Sequence, residues 1–197
     1  MNDDILFLKY EDVVSLDYNN DKFDKVEISN KGLTFVKFNK VEIKNSTISN
    51  VQFDKVEFIN CDLSNTEFMD CSFRDVKFKD CKLTGSQFID SHIIDSKLND
   101  SLFSYTNFVD CKFKYVNIND IDFKESTFNN VELKNIELNS VNFLNTEFID
   151  TSLYKIDLSS SNICGIRTTP KCLKGAIIDS VQSIDLINLL GVIIKED

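Results

Sequence analysis

The chain is 197 residues long, with a formal net charge of −10 at pH 7 and a sequence pI near 4.6. A surface that acidic repels nucleic acid and anionic membranes and attracts basic partners. With no apolar run of about 18 residues and no basic leader after Met1, neither a membrane span nor a secretion signal is expected, so the chain reads as cytoplasmic with free thiols.

Residues 1–22 come first. Leu8, Val13 and Tyr18 already keep a five-residue spacing, but Glu11 and Asp21 stand where small residues occur later. This segment is expected to cap the N-terminal end, because a stack of repeats must cover its open backbone edge.

From Phe23 to Ile163 every fifth residue is Phe, Leu or Ile, at 29 positions out of 29, and this series takes 15 of the 17 phenylalanines. Two residues before each of these centres stands Ser, Thr, Cys, Val or Ile in 27 of 29 cases, with Asp21 and Lys31 as the exceptions. The residue between them is polar, and the second residue after the centre is mostly Asp or Asn, as in Cys61-Asp62-Leu63-Ser64-Asn65. Two inward side chains two residues apart require extended backbone. Asp and Asn then turn the corner, because their side chains bond locally to backbone. A helix fails, since apolar residues five apart precess by about 140° per step and leave no continuous face. Coiling the units as successive sides of a solenoid buries every centre.

Units such as Cys61-Asp62-Leu63, Cys71-Ser72-Phe73 and Ser161-Asn162-Ile163 resemble the A-(D/N)-L-x-x pattern of the pentapeptide repeat proteins. That resemblance implies an all-β fold, a right-handed quadrilateral β-helix with four units to a coil, and about seven coils between residues 23 and 163.

At a coil of 20 residues the outward positions form columns. Asp70, Asp90, Asp110 and Asp150 share one corner with Asn30, Asn50 and Asn130. Asp80, Asp100 and Asp120 share a second, and Asp75 and Asp95 a third. Carboxylates stacked about 4.8 Å apart can imitate the regular charge of a DNA backbone. The alternative is that Asp suits the corners and keeps the rod soluble. Met69, Ile89 and Val109 form an outward apolar stripe, either a partner contact or an incidental patch.

No chemistry of catalysis is visible. Cys61, Cys71, Cys81 and Cys111 fall on the small inward position and read as core residues, and His92 occupies an outward polar slot. There is no nucleophile elbow and no phosphate-binding glycine loop. Neither enzyme activity nor a cofactor or metal is expected.

Residues 164–197 leave the repeat. Asp179 or Ser180 as N-cap and Gly191 as C′ residue frame a helix over about 181–190. Ile184, Ile187 and Leu190 form its apolar edge, widened by Leu186 and Leu189. That face is expected both to lid the last coil and to hold a twofold interface. Gly175, Asp179 and Gln182 with the Leu-Gly-Val ending resemble the tail of the Qnr group of pentapeptide repeat proteins. The resemblance implies a tail-to-tail homodimer that binds DNA gyrase and topoisomerase IV through its acidic surface and lowers fluoroquinolone susceptibility, with no nucleic acid or membrane partner. Unlike several members of that group, residues 23–163 carry no inserted loop. The competing expectation is a structural scaffold that binds another protein through the Met69-Ile89-Val109 stripe.

Overall fold

The computed structural model describes residues 12–187, 189, 191 and 192. Its strands are mostly three residues long and repeat one idea. In Lys77-Phe78-Lys79 the phenylalanine is buried and both lysines face outward. Alternation over so short a length is enough, because each strand is paired above and below. Phe53, Phe73, Ile93, Phe113 and Leu133 stand in parallel register, each 20 residues from the last. Seventeen strands join in one parallel sheet, and Lys22–Asp24 pairs separately with Glu42–Lys44. The result is an all-β parallel solenoid of about seven turns.

The corners explain the sequence period. Among the non-glycine corner residues from Ser15 to Lys155, φ lies between 47° and 62°. Only Gly adopts this left-handed region freely, with Asn and Asp next because their short side chains satisfy backbone locally. The recurrent Asp and Asn are therefore a backbone requirement first.

The core is a set of ring stacks. Phe68, Phe88, Phe108, Phe128 and Phe148 are spaced by 4.7, 5.0, 4.8 and 5.1 Å between centroids. That is the spacing of adjacent strands, so in-register coils stack the rings without further adjustment. A second stack runs through Tyr18, Phe38, Phe58 and Phe78. Where the small inward residue is Ser or Thr, its polarity has a reason. The hydroxyls of Ser86, Thr106, Ser126 and Thr146 each donate to the carbonyl 23 residues earlier, on Leu63, Leu83, Phe103 and Phe123. These bonds satisfy carbonyls that a purely apolar ladder would leave less well paired.

Two boundaries differ from the sequence reading. The ladder already includes Asp12–Val14, paired with Gly32–Thr34, and Asp17–Asn19, paired with Lys37–Asn39. Residues 12–19 thus already pair as the first turn of the solenoid, and residues 1–11 lie outside the described ones. At the other end, pairing continues past Ile163 through Glu147 with Arg167 and Asp157 with Ile177.

The regularity fails at one place. From Val36 to Ile163 every inward position is buried except Leu133, Ile136 and Leu138. Their strand, Glu132–Asn139, pairs with the coil before it. Among the described residues, none of its backbone bonds runs to residues 152–159 of the coil after it. Elsewhere a centre donates to the residue 19 further on, as Phe123 does to Asn142 and Phe143 to Asn162. Here the last coil changes its turn on two successive sides. Asn135 and Ser140 are left-handed, whereas Ser160, stacked on Ser140, is not, and the segments at 153–155 and 158–160 form turns in place of strand. One such change is tolerated at Glu42–Lys44, where the ladder to residues 62–64 persists. Two in succession part the backbones. A narrow core cavity of about 20 Å³, lined from Phe113 to Leu158, includes Leu133, Leu138, Leu153 and Leu158 of the seam.

A short tail closes the rod. A helix at Pro170–Leu173 is capped by the Thr169 side chain and begins on proline, whose missing N–H is no loss there. A second helix spans Gln182–Ile187, within the expected 181–190. Asn188 and Leu190 lie outside the described residues.

Candidate protein-binding surface

The nine aspartates at 70, 75, 80, 90, 95, 100, 110, 120 and 150 are all exposed corner residues with φ between 47° and 55°. Going round the coil, the corners of Asp70, Asp75 and Asp80 follow one another, so three consecutive edges of the rod carry carboxylates. The positive φ accounts for Asp or Asn at these corners, but not for the choice between them. Other corners of the same solenoid use Asn, at 30, 45, 50, 60, 65, 130, 135 and 145, with the same backbone geometry. Negative charge in the middle of the rod is therefore a selection that conformation leaves open.

The faces between those corners carry many amines. Lys77 is in register with Glu57 and Lys97, and a shallow cleft of about 650 Å³ runs past Lys55, Glu57, Lys77, Lys79 and Lys97, with Asp75 and Asp100 on its rim. Arg74, Lys112 and Lys114 lie on the adjoining face, Lys114 paired with Glu132 at 3.8 Å. A partner meets carboxylate ridges separated by amine-lined faces. The column reading of the sequence followed the corners and the Met69-Ile89-Val109 stripe, and the same period applied to the other positions beside each centre would have exposed the lysines.

The apolar stripe exists as stacked neighbours. Ile89 is in register with Met69 below and Val109 above, all three half-buried, and exposed Ile149 stands beyond Asn129. Leu102 and Tyr105 are exposed as well, but Leu102 lies on the neighbouring face.

The tail divides its apolar residues between two directions. Ile184 is exposed, and Ile177 and Val181, which the sequence reading passed over, are exposed beside it in the chain. Leu186 instead packs against the core of the rod. Ile187 and Leu189 are half-buried and line an apolar groove of about 420 Å³ with Pro170, Leu173 and Ile178. Asp179 is the N-cap, accepting from the N–H groups of Val181 and Gln182. The Gln182 Oε1 accepts from the Asp179 N–H in return, which completes a capping box.

Titration is perturbed away from the acidic columns. Side-chain hydrogen bonds from Lys22 and Lys44 hold the half-buried Glu42 carboxyl down at about 2. Burial pushes the Cys71 thiol up to about 12 and the Cys111 thiol up to about 11. Cys81, hydrogen-bonded with Cys61 and buried, is raised as well. Such thiols are poor nucleophiles at neutral pH.

A family model described as a pentapeptide repeat region matches residues 51–128. No curated protein matches the chain. Among solved structures, a trypsin-treated variant of QnrB1, described as a plasmid-mediated fluoroquinolone resistance protein, is similar at 15% identity and a TM-score of 0.47, covering 94% of this chain and 99% of that one. Rfr23, a pentapeptide repeat protein from the cyanobacterium Cyanothece 51142, is similar at 9% identity and a TM-score of 0.45, over 66% of this chain and 92% of that one. HetL, a pentapeptide repeat protein involved in heterocyst differentiation regulation in the cyanobacterium Nostoc sp., is similar at 11% identity and a TM-score of 0.37, over 87% and 93%. Residues 51–128 thus match a pentapeptide repeat region, and they lie within a parallel β-helix of about seven turns.

Proposed function

We propose that the rod imitates DNA for a type II topoisomerase, DNA gyrase or topoisomerase IV, and so lowers fluoroquinolone susceptibility. The observation that carries this reading is the choice of Asp over Asn on three consecutive edges where the backbone accepts either. Stacked about 4.8 Å apart, these carboxylates offer a DNA-binding saddle a regular negative array on a rigid support. The resemblance of the tail to the Qnr group points the same way, as does the description of QnrB1.

A second copy joined through the tail would double the length of the array. Ile177, Val181, Ile184 and Val192 are exposed apolar residues available for it among the described ones. Val181→Asp with Ile184→Asp is then expected to give monomers in light scattering, and an unchanged dimer mass rejects this interface. Leu186 is unsuitable for that test, since charge there also unseats the tail from the rod.

The decisive experiment is a supercoiling assay with gyrase and ciprofloxacin, titrated with the protein. Asp80→Asn, Asp100→Asn and Asp120→Asn combined keep the corner geometry and remove three charges. Rescue or inhibition at micromolar protein, weakened in that variant, supports the proposal. No effect of the unmodified protein, or an equal effect of the variant, sinks it.

A further inference from the structure

One of the acidic columns differs from the other two. Asp70, Asp90 and Asp110 are each preceded by a residue of the apolar stripe, Met69, Ile89 and Val109. The two rows run side by side up the rod, because Ile89 is in register with both Met69 and Val109. At the far side of the same face the outward row is Glu67, Gln87 and Asn107, also in register. Across this face a partner meets a polar row, then aliphatic, then carboxylate. A nucleic-acid mimic has no use for the aliphatic row.

We infer that this edge is a docking strip for an amphipathic, basic α-helix of a partner protein, lying parallel to the rod axis. The spacing selects the occupant. Two coil steps from Asp70 to Asp110 span about 9.6 Å. Residues one turn apart on a helix are about 5.4 Å apart along its axis, so two turns span about 11 Å. Alternate residues of an extended strand cover about 13 Å over two repeats and lose register at the third carboxylate. A helix that carries Lys or Arg at i, i+4 and i+7 therefore meets all three aspartates. An adjacent row of Leu or Ile then rests on Met69, Ile89 and Val109. The charge pairs lie at the rim, where they set orientation, while the aliphatic row supplies desolvated area.

The probe is a labelled synthetic 18-residue helical peptide with lysines on one ridge and leucines on the next, followed by fluorescence anisotropy with the full-length chain. Controls are a peptide of the same composition in scrambled order and one with strictly alternating Lys and Ile. The helical peptide is expected to bind at least about tenfold more tightly than either control, and Ile89→Asn and Asp90→Asn are each expected to weaken it about tenfold. No binding at millimolar protein, equal binding of the scrambled peptide, tighter binding of the alternating peptide, or indifference to Ile89→Asn overturns the inference. The topoisomerase reading is separable from it. The Asp80, Asp100 and Asp120 to Asn variant keeps full peptide binding here, and loss of binding in that variant also overturns the inference.

Discussion

The side-chain amide of Gln182 donates to the main-chain carbonyl of Leu158 at 2.9 Å, and so ties the tail helix to the last coil of the rod. It also donates to the Ser161 carbonyl, while its Oε1 accepts from the Asp179 N–H and its side chain is almost fully buried. One residue thus caps its own helix and anchors it. Gln182→Ala leaves two carbonyls and an N–H without that partner, and is expected to cost about 2–3 kcal/mol of tail stability. Limited proteolysis should then cut between Gly175 and Ile187 while the coils stay intact; resistance equal to the unmodified chain would refute the anchor.

Core truncations should distinguish the ring stacks from the seam. Phe108 is fully buried between Phe88 and Phe128, so Phe108→Ala is expected to lose about 3–5 kcal/mol in denaturant unfolding. Leu138 occupies the equivalent position in its unit but is half-buried, and Leu138→Ala is expected to lose less than about 2 kcal/mol. Equal losses would mean that the seam closes in solution.

The stacks were legible in the sequence because a buried centre needs one residue type at one interval, and the interval is unbroken from Phe23 to Ile163. The seam was not, because Leu133, Ile136 and Leu138 satisfy the same pattern as their neighbours. Where the coils part, residues 154–155 and 159–160 form turns in place of strand and Ser160 leaves the left-handed conformation, and a five-residue pattern of side-chain size carries no record of it. The acidic columns were likewise legible, while the division of the tail between Leu186 inward and Ile184 outward depends on how the helix is docked. The capping box was visible as spacing, but its second use, holding the last coil, needed the positions of the Leu158 and Ser161 carbonyls.

Strain at the corners offers a third test. Tyr115 adopts φ 55° with its ring exposed, a conformation that suits Asn or Gly far better than an aromatic residue. Tyr115→Asn is expected to stabilise the rod by about 1 kcal/mol, read as a higher melting temperature. A lower melting temperature would mean that the ring makes compensating contacts.

The cysteines should separate by burial. Cys164 is exposed and the other five are buried, so one thiol is expected to react promptly with Ellman's reagent at pH 8 and the rest only on unfolding. Cys71 and Cys111 are raised from 9.0 to about 12 and about 11. A folded pKa above the unfolded one contributes stability in full below pH 9 and loses it as pH rises through the folded value. Cys71→Ser with Cys111→Ser should therefore flatten the decline in stability between pH 9 and 11; an unchanged decline assigns it to other groups.

Amide exchange reads the seam directly. Leu133, Asn135 and Leu138 should exchange much faster than Phe123, Asn145 and Phe143, whose N–H groups are bound to the following coil. Uniform protection along all of these would refute the parted ladder.

A rod of this kind is stiff because bending it anywhere stretches a row of backbone bonds. At residues 132–140 the row of backbone bonds is missing on two sides, where the Ser160 hydroxyl donates to the Leu138 carbonyl at 3.3 Å, so tilting the end of the molecule stretches fewer bonds there. The seam falls just short of the tail, after all the aspartate columns except Asp150. The charged array behaves as one unyielding ruler, and the end that carries the helix has a joint. If two copies meet through their tails, the angle between the rulers can adapt to the curvature of what they lie against.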